Sequence, residues 1–163
     1  MAELPRSLYR IDLGDAPAVT EPPVGLALRS VEVNDDFALG RLMEAAYAGT
    51  VDEDLGDNSD GAVEIADWRS GDADVDASVV AADRDGALVS ASLISSSDTT
   101  VLLAYVITRP DWKGRGAGTA VVLSSLRALA ARGDRTVLAG VTDDNTPSVR
   151  LLLAVGFARV GPA

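Results

Sequence analysis

The stretch that most constrains this chain runs from Thr99 to Arg132, TTVLLAYVITRPDWKGRGAGTAVVLSSLRALAAR, where an apolar run opens through a glycine-dense turn into an amphipathic segment. Val101 to Ile107 is short and β-branched, which predicts a strand; Val122, Leu123, Leu126, Leu129 and Ala130 recur at helical spacing, which predicts a helix with one buried face. Between them lies Lys113-Gly114-Arg115-Gly116-Ala117-Gly118. A loop that points several backbone N–H groups at one diphosphate needs residues that accept positive φ and do not obstruct close approach, and glycines meet both needs. The helix that follows adds its positive N-terminal end. An ordinary tight turn is the alternative. A dinucleotide-binding reading asks for Gly-x-Gly-x-x-Gly early in a βαβ unit with an acid about 20 residues on; here the loop is late and Asp134 follows the helix. A P-loop would need Gly-Lys-Ser/Thr, which is absent.

Pro110-Asp111-Trp112-Lys113-Gly114-Arg115-Gly116-Ala117-Gly118 resembles the acyl-CoA pyrophosphate loop of the GNAT superfamily of N-acyltransferases, with Lys113 where that pattern has Gln or Arg. Lysine keeps the charge but loses the planar fork of arginine. Asn145-Thr146-Pro147-Ser148-Val149-Arg150-Leu151-Leu152-Leu153-Ala154-Val155-Gly156-Phe157 resembles a later segment of the same family, in which an Asn precedes a helix ending in Gly-Phe. The resemblance extends over about residues 25–160. It implies a mixed, mostly antiparallel α/β sheet of six or seven strands flanked by about four helices.

It also implies acetyl-CoA as acyl donor and direct transfer to a primary amine of a small molecule or peptide. In the family the strands bracketing the loop helix diverge and leave backbone groups for the pantetheine arm. The matching cofactor-binding positions are Ile107, Thr108, Lys113, Gly114, Arg115, Gly116, Ala117, Gly118 and Asn145, although an Asn before a helix is also an ordinary cap. Amide groups of Val106 to Thr108 are placed to polarise the thioester carbonyl. Many members carry a Tyr general acid seven residues after this Asn; the count lands on Leu152, which has no proton to give.

In the family the first helix and the loop after it usually wall the acceptor pocket, so the resemblance also implies acceptor contacts at Tyr47, Asp52 and Asp54. No Asp or Glu occurs between Thr99 and Arg109, where many relatives place a base, so the base is unassigned among Asp52, Asp54 and Asp143. The same fold accommodates two other functions, an acyl-CoA-binding sensor or scaffold with little turnover and a nucleotide-binding regulatory domain.

Composition narrows the chemistry. With no cysteine and no histidine, a Cys nucleophile, a Ser-His-Asp triad and the common zinc sites are excluded, and no metal is expected. The net charge of −11 argues against a nucleic-acid partner. From Arg109 onward eight basic residues face four acidic ones, whereas residues 1–108 carry six against 21. The half with the anion loop is the basic half, which fits a polyanionic cofactor there and a cationic acceptor beside the acidic half. Ten acids between Asp52 and Asp76 face only Arg69, and a solvated loop is the bland reading of them.

No apolar run approaches a membrane span and Met1 to Leu13 lacks signal-peptide regions, so a cytoplasmic protein with no membrane partner is expected. Residues 1–24 read as an extension, with an accessory strand at Leu8 to Leu13 and a proline-rich linker from Gly14 to Pro23; residues 25–163 read as the acetyltransferase-like domain. Leu26 to Arg29 starts the core. Asn34 is expected to cap a helix burying Leu39, Leu42, Met43 and Ala46, and a second helix is expected over Ser59 to Arg69. Ser78 to Ala82 and Ala87 to Ile94 form a hairpin through Asp83 to Gly86, and a strand at Val137 to Val141 follows the loop helix. Phe157 to Val160 is expected to begin a final strand that the chain leaves short, with the last strand missing or donated by a partner subunit in a homodimer.

Overall fold

The computed structural model describes residues 4–18, 21–53 and 60–163. The chain forms β1 (Arg6–Asp12), β2 (Ala27–Ser30), α1 (Asp36–Tyr47), α2 (Gly61–Ser70), β3 (Val79–Ala82), β4 (Leu88–Ser96), β5 (Val101–Thr108), α3 (Ala117–Ala131), β6 (Thr136–Thr142), α4 (Thr146–Val155) and β7 (Ala158–Pro162). The seven strands make one sheet in the order β2-β3-β4-β5-β6-β1-β7. All neighbours are antiparallel except β5 and β6. The mixed, mostly antiparallel sheet with four helices is thus the expected one.

The N-terminal strand is internal to that sheet. Alternation buries Tyr9 and Ile11 against α3 and α4, while Arg10 and Asp12 point to the other face. β1 pairs with β6 from Arg6↔Thr142 to Asp12↔Thr136 and with β7 from Ser7 to Arg10. It therefore separates β7 from β6, which a reading of local pattern as a peripheral strand does not anticipate.

One core lies between the sheet and α1/α2, joining Leu39, Met43, Ile65 and Trp68 to Val80 and Leu93. Another lies beneath α3 and α4, joining Leu126, Leu129, Leu152 and Phe157 to Ile11 and Val137. The expected cap at Asn34 moves one residue. Asn34 sits inside a 3-10 turn, and α1 begins after Asp35. The Asp35 carboxylate accepts from both terminal nitrogens of Arg29, at 2.7 and 2.8 Å, and from the Glu32 N–H at 2.8 Å.

Helices α1 and α2 meet at two glycines. A Cβ on Gly61 would lie 2.0 Å from the Gly40 carbonyl oxygen, so the backbones touch only because neither residue has a side chain. The Gly61 N–H donates to Glu44 Oε1 at 3.2 Å, and at the other end the Trp68 indole N–H donates to the Ile94 carbonyl at 3.1 Å. These contacts set where α2 stands above β5.

Parallel β5 and β6 are in register only at Leu102↔Leu138. Beyond that point they diverge. On the opposite side of β5 the register with β4 shifts between Leu93 and Ile94, leaving Ala104 as an extra residue whose bulge adds local twist where the gap opens.

Gly61→Ala should force α1 and α2 apart and cost about 1–3 kcal/mol, the usual range for overpacking. Thermal unfolding of the variant checks this, with a Tm lowered by several degrees expected.

The Arg29 guanidinium, aided by the Glu32 N–H and opposed by burial, holds the Asp35 carboxyl below the usual carboxylate range. Below about pH 4 the unfolded chain then binds a proton before the folded one does, so this contribution is complete above that pH and lost as pH falls through the lowered folded value. Acid unfolding of Asp35→Asn should show a shallower loss of stability over that interval than the parent chain.

Candidate active site

The three loop glycines serve two different needs. Gly114 and Gly116 have φ of +75° and +87°, and Gly116 is the residue from which α3 starts. Gly118 is already helical; there a Cβ would come 2.9 Å from Leu151 Cδ1 and 3.2 Å from Thr108 Oγ1. Two glycines turn the chain and the third lets α3 pack closely on β5 and α4. The loop borders a cavity of about 780 Å³ that also takes in Thr108, Ala117, Asp144 and Arg150.

Lys113 lines this cavity and donates through Nζ to the Ala46 carbonyl at 2.8 Å, occupying an acceptor left over at the end of α1. Its ammonium has three donors and this contact engages one. Arg115 does not line the cavity: its guanidinium stacks 3.9 Å from the centre of the Trp112 ring. The glycine turn, the start of a 15-residue helix, Lys113 and Arg150 suit a diphosphate, with Asp144 the one opposing charge on the wall among the described residues. Acyl-CoA therefore fits the residues present.

A second cavity, about 390 Å³, occupies the gap between the diverging strands and is lined by residues 102–106 of β5 and 139–142 of β6. Tyr47, Val106, Asn145, Ser148 and Leu151 line both cavities, so the two adjoin. Arg6, Asp52 and Glu64 supply the charges of the smaller one. Glu64 Oε2 accepts from the Tyr105 hydroxyl at 2.7 Å. Asp52, only 7% exposed, accepts from the Thr142 hydroxyl at 2.7 Å through Oδ1 and from the Asn145 amide at 2.6 Å through Oδ2. Thr142 Oγ1 in turn accepts from Arg6 Nη1 at 3.4 Å. Asp52 thus ties the segment after α1 to the β6–α4 junction across the mouth of the gap. Burial first, then the charge of Asp52, pushes the Tyr47 phenol well above its ordinary range, with Arg6 opposing.

The expected site residues separate. Lys113, Gly114, Gly116, Ala117, Gly118, Thr108 and Asn145 converge on the larger cavity, and Tyr47 stands at the junction with the smaller one, where Asp52 lies. Asn145 caps α4, its Oδ1 accepting from the Ser148 N–H at 3.3 Å, while its amide nitrogen reaches Asp52. Ile107 does not join them. The Arg109 N–H bonds the Val89 carbonyl, and alternation directs the Ile107 main chain to Ala91 of β4, with its side chain 1% exposed in the α1/α2 core. The β5 groups turned toward the gap are those of Val106 and Thr108.

Asp143 lines neither cavity and accepts from the Ser7 hydroxyl; Asp54 lies outside the described residues. Leu152 lines the smaller cavity at 2% exposure and belongs equally to the core. Arg6, Glu64, Tyr105 and Thr142 were not expected here. The one signal in the sequence is Tyr105, a polar tip in the otherwise apolar run from Val101 to Ile107. Arg6 and Glu64 arrive from elements whose positions no local pattern specifies.

Residues 42–157 match the Acetyltransferase (GNAT) family, and the chain belongs to that family. Mycothiol acetyltransferase of Actinosynnema mirum is 31% identical over 93% of this chain and 51% of its own length; that of Stackebrandtia nassauensis is 31% identical over 92% and 50%. The chain spans about half the length of the curated relatives it matches. Among solved structures, a GCN5-related N-acetyltransferase from Sphaerobacter thermophilus superposes with a TM-score of 0.78 at 21% identity, over 98% of this chain and 50% of that one. That likeness is one of fold. Among the described residues no helix is long and apolar enough to cross a membrane.

Removing Asp52 leaves a buried hydroxyl and an amide without their acceptor, a loss of about 1–3 kcal/mol. Asp52→Ala should show it as a lower denaturation midpoint with an unchanged slope.

Proposed function

We propose that the chain transfers an acyl group from acyl-CoA, with acetyl-CoA the simplest donor, directly to a primary amine. The observation that carries this reading is the pair of adjoining cavities. The larger has the glycine loop, a helix start and two cations; the smaller has two carboxylates and two phenols. A polyanionic donor and a cationic acceptor would then meet at Tyr47 and Val106. The main-chain groups of Val106 and Thr108, turned into the gap, are suited to hold an extended pantetheine arm in the manner of a strand and to polarise a thioester carbonyl. Removing one such donor typically costs about 2.7–4 kcal/mol of transition-state stabilisation.

A small-molecule amine is favoured over a peptide because the smaller cavity is enclosed by the sheet on two sides, and because the named relatives are mycothiol acetyltransferases. A cytoplasmic setting, where acyl-CoA is available, is in keeping with this reading. Leu152 favours a second reading, an acyl-CoA-binding scaffold with slow turnover. General acid catalysis contributes typically 10²–10⁴-fold, and this side chain cannot supply it.

Thiol release from acetyl-CoA against a panel of small amines separates the two readings, with release expected for cationic amines. CoA binding should be lost in Gly116→Trp, which puts a bulky side chain on a residue that borders the larger cavity and needs positive φ. Calorimetric titration of the folded variant checks this, and an unchanged CoA affinity would overturn the assignment of the loop.

A further inference from the structure

An amine that attacks a carbonyl must lose a proton, and β5, which forms one wall of the gap, contains no Asp or Glu. A carboxylate reaches that strand from another element. Gly61 allows α2 to lie against α1, and one turn along α2 Glu64 lines the smaller cavity with its Oε2 bonded to Tyr105 of β5. Tyr105 follows the bulge residue Ala104 directly. A carboxylate has about four lone-pair sites, and among the described residues Tyr105 is the one hydrogen-bond partner of the Glu64 carboxylate. The other acid of the cavity differs. Both oxygens of Asp52 accept hydrogen bonds, from Thr142 and Asn145, in a bridge across the gap.

We propose that Glu64 is the general base of the acyl transfer and that Tyr105 is its positioning residue; this rests on the acyltransferase reading above. As the acceptor nitrogen bonds to the thioester carbonyl carbon, Glu64 takes a proton from that nitrogen. The carbon–sulfur bond breaks and its electron pair leaves with sulfur. The thiolate takes a proton from solvent while Glu64 returns one, so amine and thioester give amide and thiol with no net change in protons.

Tyr105 is suited to its part. Burial, and then the hydrogen bond to Glu64, push its phenol well above the ordinary range, so it remains a donor and keeps the carboxylate oriented. Among the described residues the other charged or titratable groups around Glu64 are Tyr47 of α1, Asp52 beyond it, Arg6 of β1 and Asp67 one turn along α2.

The test uses the full chain with acetyl-CoA and the panel amine that releases thiol fastest. Glu64→Gln keeps an acceptor for Tyr105 and should lower kcat by about 10²–10⁴-fold. It should also abolish the fall of kcat on the acidic side and leave CoA affinity unchanged. Hydroxylamine, mostly unprotonated at neutral pH, should lose much less. Tyr105→Phe should lower kcat by a smaller factor and displace the acidic limb without removing it. A Glu64→Gln enzyme with parental kcat and pH profile overturns the proposal.

A parent chain that releases no thiol with any amine overturns the acyltransferase reading instead. Calorimetry on the free protein then decides for Glu64. Benzylammonium should bind about tenfold or more weakly to Glu64→Gln, the charge-assisted hydrogen bond being lost, while benzyl alcohol binds both alike. Equal affinity for benzylammonium in the two proteins overturns the placement of an acceptor nitrogen at Glu64.

Discussion

The structure depends on two parallel strands that meet once and then part. A buried sheet with main-chain groups left unpaired is costly, so a gap such as that between β5 and β6 persists only if surrounding elements hold its walls apart. Here β6 is backed along its whole length by β1, and β5 is backed by β4 with a bulge at Ala104. The α3 crossover joins the two at one end. Asp52 spans the opening, bonded to Thr142 and Asn145 on the far wall. Main-chain groups of Val106 and Thr108 then remain for a partner that is not part of the sheet.

Close backbone approach serves this gap twice. Gly118 brings α3 against Thr108 and Leu151, and Gly61 brings α2 against Gly40. The first seats a helix start beside the divergence. The second carries Glu64 to Tyr105, delivering an acid to a strand that has none of its own. Small residues at both contacts convert packing into placement of charge, because a side chain at either would displace its whole helix.

The charge asymmetry along the chain acquires a spatial form in the same region. Basic Lys113 and Arg150, both from the cationic C-terminal part, outnumber Asp144 on the larger cavity; acidic Asp52 and Glu64, from the anionic part, outnumber Arg6 on the smaller. Two sites of opposite character share a wall at Tyr47 and Val106, and each favours a ligand of opposite sign.

By itself the sequence determined what depends on neighbours along the chain. The hairpin through Asp83 to Gly86, the apolar stripe of α1, the glycine loop feeding α3 and the Asn145 cap of α4 all follow from local periodicity and from residues that suit particular backbone angles. Tertiary structure alone decided the insertion of β1 between β6 and β7. Alternation in Leu8 to Leu13 names a face but not a partner, and the partners lie near the other end of the chain. It decided also that Ile107 turns to β4 while Val106 and Thr108 face the gap, since a period of two has no phase until the pairing register exists. Glu64 stood among ten acids of one segment and nothing local distinguished it. Its place at Tyr105 follows from how closely two helices can approach, a property of paired surfaces that neither helix carries alone.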